Sequence, residues 1–152
     1  MATATGPLST GHIGLNVTDL DRSLAFYRDA LGFALLGEGK EEDRRFAFLG
    51  QDGALVLTLW QQAGGGYEPQ AAGLHHLAFS AGAIEEVRAY EERLRGLGVE
   101  FAHDGVVAHG EGAASGGIFF HDPDGTRLEI SVPTGAQGAP APTAGAPTCG
   151  FF

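Results

Sequence analysis

Three residues of this chain are of the types that hold a metal ion, and each sits in a short alternating run. In residues 11–17, His12, Gly14 and Asn16 alternate with Ile13, Leu15 and Val17, the period of a strand with two unlike faces. In residues 74–80, His76, Ala78 and Ser80 stand opposite Leu77 and Phe79. In residues 126–132, Arg127, Glu129 and Ser131 alternate with Leu128, Ile130 and Val132. If the apolar sets pack beneath helices, both imidazoles and the carboxylate of Glu129 share the helix-free side. Two His and one carboxylate make a facial triad with open coordination positions, suited to Fe(II), Mn(II), Ni(II) or Zn(II). Such an ion polarises a carbonyl, activates water or binds O₂. A lone His in a strand is more often a satisfied half-buried residue. Here both His occupy the same register of two similar segments, and Glu129 stands where an unpaired carboxylate is costly to bury.

The elements that must position these residues come twice. The strand at 11–17 and the strand at 74–80 are each followed by a helical stretch, residues 20–31 and 84–97. Each half then closes with an aromatic strand, an Asp-Gly turn and an apolar strand: 46–49, Asp52-Gly53 and 54–60, against 118–121, Asp124-Gly125 and 126–132. Two copies of one unit predict a pseudo-symmetric domain. Thr18 and Asp19 offer cap oxygens to the first helix, whose Leu20, Leu24, Tyr27 and Leu31 recur at helical spacing. Ile84, Val87, Tyr90 and Leu94 form the corresponding stripe of the second. Residues 40–45 read as a charged turn, and the Gly- and Pro-containing stretch 61–73 as the linker between halves.

The expected organisation is a loose N-terminus over 1–10, a folded domain over 11–132 with modules 11–62 and 74–132, and a tail over 133–152. The tail's Pro, Ala, Gly and Thr offer too little apolar surface to fold, so it reads as disordered. The Gly-rich stretch 103–117 reads as a mobile loop, the kind that carries binding contacts. The chain has 152 residues, 43% of them hydrophobic, and a formal net charge of −10. That charge argues against nucleic acid and anionic membrane as partners. No stretch reaches the roughly 20 apolar residues of a membrane span, and the first residues lack the pattern of a signal peptide. A cytoplasmic protein is the plain expectation.

These segments together resemble the vicinal oxygen chelate superfamily of glyoxalases, bleomycin- and fosfomycin-resistance proteins and extradiol dioxygenases. The matching stretches are residues 12–16, 25–33 (AFYRDALGF), 76–79 (HLAF) and 120–129 (FHDPDGTRLE). The resemblance implies an α+β fold: two βαβββ modules forming a cupped mixed sheet with helices on its outer face. It also implies one divalent metal (Fe, Mn, Ni or Zn) at His12, His76 and Glu129, and a homodimer, since some members build the site from two chains. Glyoxalase I proteins usually carry a fourth ligand in the last strand of the first module. Aligning the two Asp-Gly turns puts Leu57 there, as part of an apolar wall. Fosfomycin thiol transferases carry Thr where this chain has Gly14, and a cationic clamp where residues 131–137 hold no Arg or Lys. Extradiol dioxygenases commonly have Tyr where this chain has Phe119, and add a His as acid–base catalyst. For that role His109 is the candidate, ahead of His103 and His75, while His121 belongs to the turn.

Phe46, Phe48, Trp60 and Phe119, with Leu57, are expected to line the pocket. Such a lining suits a small aromatic or vicinal-dioxygen substrate. The reading is a metal-dependent dioxygenase, lyase or isomerase. The alternative is a metal-free protein that sequesters an aromatic antibiotic, with the same residues as pocket walls.

Overall fold

The computed structural model describes residues 1–152. The first module comprises β1 (Ile13–Asn16), α1 (Leu20–Ala25), β2 (Ala34–Glu41), β3 (Arg44–Gln51) and β4 (Ala54–Trp60). The second comprises β5 (Leu77–Ser80), α2 (Ile84–Gly96), β6 (Val107–Ala108), β7 (Gly116–His121) and β8 (Arg127–Val132). Each module is a four-stranded mixed sheet, in the orders β1-β4-β3-β2 and β5-β8-β7-β6. In both, the first strand runs parallel to the last and the remaining pairs are antiparallel. The fold is therefore α+β, with βαβββ stated twice.

Asp19 caps α1, its Oδ1 accepting from the Arg22 N–H at 3.1 Å. The helix does not run on evenly to Leu31. From Phe26 to Ala30 it widens into a π-helical turn, and Gly32 ends it with φ +78°, a conformation glycine adopts without steric cost. The charged stretch 40–45 is narrower as a turn than expected, because β2 and β3 extend into it and pair as far as Glu41 with Arg44.

One apolar core joins the modules. It takes Leu20, Leu24 and Tyr27 from the first helical stretch and Val87 and Leu94 from α2. Ala47, Leu49, Leu57 and Leu59 come from one sheet, and Ile118, Phe120, Leu128 and Ile130 from the other. Strand alternation therefore sends Phe46, Phe48 and Thr58 of the first sheet, and Phe119 and Glu129 of the second, to the faces opposite the core. Two polar clamps reinforce the contact between modules. The buried Tyr27 hydroxyl donates to Asp122 Oδ2 at 2.7 Å, and Thr18 donates its backbone N–H (3.2 Å) and its hydroxyl to the Asp124 carboxylate.

The tail departs from expectation. Ala108 N–H donates to the Pro140 carbonyl at 2.8 Å, and Thr148 N–H to the His109 carbonyl at 2.9 Å. Thr148 is fully buried and donates its hydroxyl to the Ala108 carbonyl at 2.6 Å. The segment runs along the exposed edge of β6, using main-chain groups that a residue composition does not count.

Candidate metal centre

Glu129 lies in β8 between Ala78 of β5 and Phe119 of β7. His76 precedes β5 by one residue, so its side chain shares the side of Ala78, whose small methyl leaves room above Glu129. His76 Nε2 stands 3.5 Å from Glu129 Oε2. His109, just beyond β6, bonds the other carboxylate oxygen through Nε2, while its Nδ1 lies 3.0 Å from Ser115 Oγ. One tautomer satisfies both contacts: Nε2–H donates to Glu129, and Nδ1 accepts from the Ser115 hydroxyl. His75 and His76 share a hydrogen bond between their Nδ1 atoms at 2.8 Å.

The electrostatics of this cluster are unbalanced. The Glu129 side chain is 4% exposed, and its ion-pair partners are the two imidazoles alone. Burial pushes the His76 pKa below its ordinary value, against the opposing pull of Glu129, so that imidazole favours its neutral, ligand form. A carboxylate held out of water without a fixed cation is costly. A divalent ion held by this carboxylate and a neutral imidazole would supply the missing charge, so the donor set fits a metal. Cys149 adds a third donor: its Sγ and the ligand atoms of His76 and Glu129 all lie within 4.8 Å of one another. Its thiol is pushed up by burial and then by the charge of Glu129.

His12 is not in this cluster. It is exposed one residue before β1, on the face of the first sheet opposite the core, together with Gly14, Thr58 and Trp60. A Cβ on Gly14 would meet Thr58 Oγ1 at 3.2 Å and Trp60 Nε1 at 3.4 Å. On that same face Phe46, Phe48 and Trp60 pack in tilted and edge-to-face contacts, with ring centroids 5.4–6.1 Å apart. Trp60 Nε1 donates to Thr58 Oγ1 at 2.9 Å. Leu57, expected in the pocket wall, is instead fully buried in the core. A β-bulge between Leu49 and Gly50 adds a residue to the first hairpin, which displaces an alignment counted from the Asp-Gly turns by one. Thr58 pairs with Gly14 and Phe48 as Glu129 pairs with Ala78 and Phe119. The counterpart of Glu129 in the first module is thus a hydroxyl.

Phe119 is fully buried beside Glu129, outside the shared core, with its ring 5.2 Å from that of Phe152. Phe152 also lies 5.7 Å from the His76 ring and 5.7 Å from the Arg127 guanidinium. His103 and His121 flank this group, with Nε2 and Nδ1 respectively buried and unpaired. Ser115, Cys149 and Phe152 join this cluster without any local pattern in the sequence that marks them for it. The only hint was the pair of terminal Phe residues in a tail otherwise poor in apolar side chains.

A family model described as "Glyoxalase/Bleomycin resistance protein/Dioxygenase superfamily" matches residues 9–130. A catechol-2,3-dioxygenase of Bacillus subtilis is 31% identical over 123 residues; the match takes in 79% of this chain but only 40% of the dioxygenase. A lactoylglutathione lyase of Haemophilus influenzae is 33% identical over 126 residues, 78% of this chain and 88% of the lyase. Among solved structures, a variant of the fosfomycin resistance protein FosX from Listeria monocytogenes, complexed with Mn(II) and a dihydroxypropylphosphonic acid, superposes with a TM-score of 0.60. It is 25% identical, over 83% of this chain and 93% of that one. No helix is long and apolar enough to cross a membrane.

Proposed function

The chain belongs to the glyoxalase/bleomycin resistance protein/dioxygenase superfamily, and on that footing we propose that it is a divalent-metal-dependent enzyme acting on a small aromatic or vicinal-dioxygen substrate. The observation that carries this reading is the buried Glu129 carboxylate, flanked by His76 and His109 and lacking a fixed cation. His76 and Glu129 are two of the three ligands. The third is His12 of a second copy, because in one chain His12 opens on the other sheet, away from the Glu129 cluster. In the resulting homodimer the aromatic face of Phe46, Phe48 and Trp60 roofs the site and Phe119 forms part of its floor.

A divalent ion held by His76 and Glu129 would supply Lewis-acid stabilisation of negative charge on substrate oxygens. His109 holds a proton at Nε2 beside Glu129, with Ser115 fixing the ring. It is the group placed to exchange that proton with a substrate hydroxyl. Thr58 at the counterpart of Glu129 leaves the first module without a carboxylate ligand, which favours an open, three-ligand centre over a four-ligand one. The apolar roof favours a ring or short hydrocarbon over a phosphorylated substrate.

Metal analysis of the untagged protein by plasma mass spectrometry tests the reading. About one Fe, Mn, Ni or Zn per chain is expected, abolished by His76→Ala and by Glu129→Gln. Protein that carries no metal and takes up none on titration would overturn it and leave a pocket that only sequesters its ligand.

A further inference from the structure

We propose that the C-terminal segment is a tethered ligand arm: Cys149 supplies a thiolate to the metal held by His76 and Glu129, as an alternative to His12 of a second copy. The inference rests on the metal reading above. Three observations place the arm. Cys149 Sγ lies within 4.8 Å of the donor atoms of both His76 and Glu129. Thr148, the residue before it, is fully buried and bound by both its backbone N–H and its hydroxyl to the β6 edge, at the carbonyls of His109 and Ala108. Phe152, three residues after Cys149, packs its ring against those of His76 and Phe119. Cys149 is thus fixed between two anchors, one polar and one aromatic.

The arm stands on the side of the second sheet where a partner's first module must sit to deliver His12. The chain therefore has two third ligands for one pair, its own thiolate and an imidazole from another copy, and the two exclude each other. The donor set of the arm-closed form is one nitrogen, one oxygen and one sulfur. Sulfur selects a thiophilic divalent ion such as Zn(II), or Co(II) as its spectroscopic substitute, over Mn(II) or Mg(II). On binding, the Cys149 S–H proton leaves to solvent and the sulfur's electron pair goes to the ion.

Co(II) titration of the full chain, followed by absorption, reads this out without any assay of turnover. The wild type is expected to develop the near-ultraviolet thiolate-to-cobalt charge-transfer band, saturating at one equivalent. His12→Ala keeps the band, Cys149→Ser loses it while still binding Co(II), and His76→Ala loses both. Cys149→Ser is also expected to weaken Zn(II) binding at least about tenfold, the lower end of what losing even an outer-shell partner does. Co(II) uptake without the band, or a Cys149→Ser spectrum identical to wild type, would overturn the arm while leaving the metal centre standing. No Co(II) uptake by the wild type would overturn both.

Discussion

Substituting Tyr27 by Phe removes one oxygen from the seam between the modules and nothing else. That hydroxyl is fully buried and donates to Asp122 Oδ2 at 2.7 Å. The other Asp122 oxygen accepts the backbone N–H groups of Asp124 and Thr126, each at 2.9 Å. Burial raises the Asp122 pKa, and the bonds from Tyr27, Thr126 and Asp124 counter part of that rise. A hydrogen bond to a charged group contributes about 1.5–3 kcal/mol. At roughly 2–4 °C per kcal/mol for a domain of this size, Tyr27→Phe lowers Tm by about 3–12 °C near neutral pH.

The pH dependence has a definite sign. Because the folded pKa of Asp122 is raised, its linkage favours the folded state below the unfolded pKa and loses that contribution as pH rises through the folded one. Losing the Tyr27 bond raises the folded pKa further, so the variant is penalised most at neutral pH, where the carboxylate is ionised. The gap from wild type therefore narrows on acidification, and it starts to narrow above the ordinary carboxylate range. Urea unfolding at a series of pH values measures this. A gap under about 0.5 kcal/mol at neutral pH, the scatter of ordinary surface changes, or a gap that stays constant on acidification, would refute the assignment.

Two further outcomes follow from packing. Gly117→Ala places a Cβ 2.0 Å from the Ile130 carbonyl oxygen and 2.7 Å from Ser131 Cα; neither is a flexible side-chain end, so β7 and β8 must part, at about 3 kcal/mol, visible in thermal unfolding. Trp60→Ala leaves the core intact but removes the centre of the aromatic face; if that face meets a second copy, dimerisation weakens by the roughly 2 kcal/mol or more of an aromatic hot spot, read as a raised dissociation constant by sedimentation equilibrium, and an unchanged constant would contradict the roof.

The repeat, both sheets and the facing of His76 and Glu129 were legible because alternation and Asp-Gly turns are local signals. Leu57 was misplaced because the bulge at Leu49 and Gly50 sits inside a strand and leaves no punctuation. The Gly50 position itself demands glycine, since a Cβ would lie 2.1 Å from the Ala54 carbonyl oxygen, yet its sequence neighbours reveal nothing of that. The tail was illegible for a different reason: it is held at Ala108 and His109 by main-chain hydrogen bonds and the Thr148 hydroxyl, and by the Phe152 ring, and the position of such contacts is not read from composition. The separation of His12 from its expected co-ligands is a matter of module packing. Two strands alike in register can face one cup or two, and alternation within each strand is the same in both cases.

The most direct test of the proposed two-chain metal centre is complementation in protein carrying Cys149→Ser, where the proposal leaves His12 as the one remaining third ligand. Chains with His12→Ala and chains with Glu129→Gln are each expected to purify without metal. Unfolded together and refolded, they form mixed dimers in which one site has His12 from one chain and His76 and Glu129 from the other. Metal uptake by that mixture, and by neither parent alone, is the predicted result. A mixture as empty as its parents would contradict a centre shared between two chains.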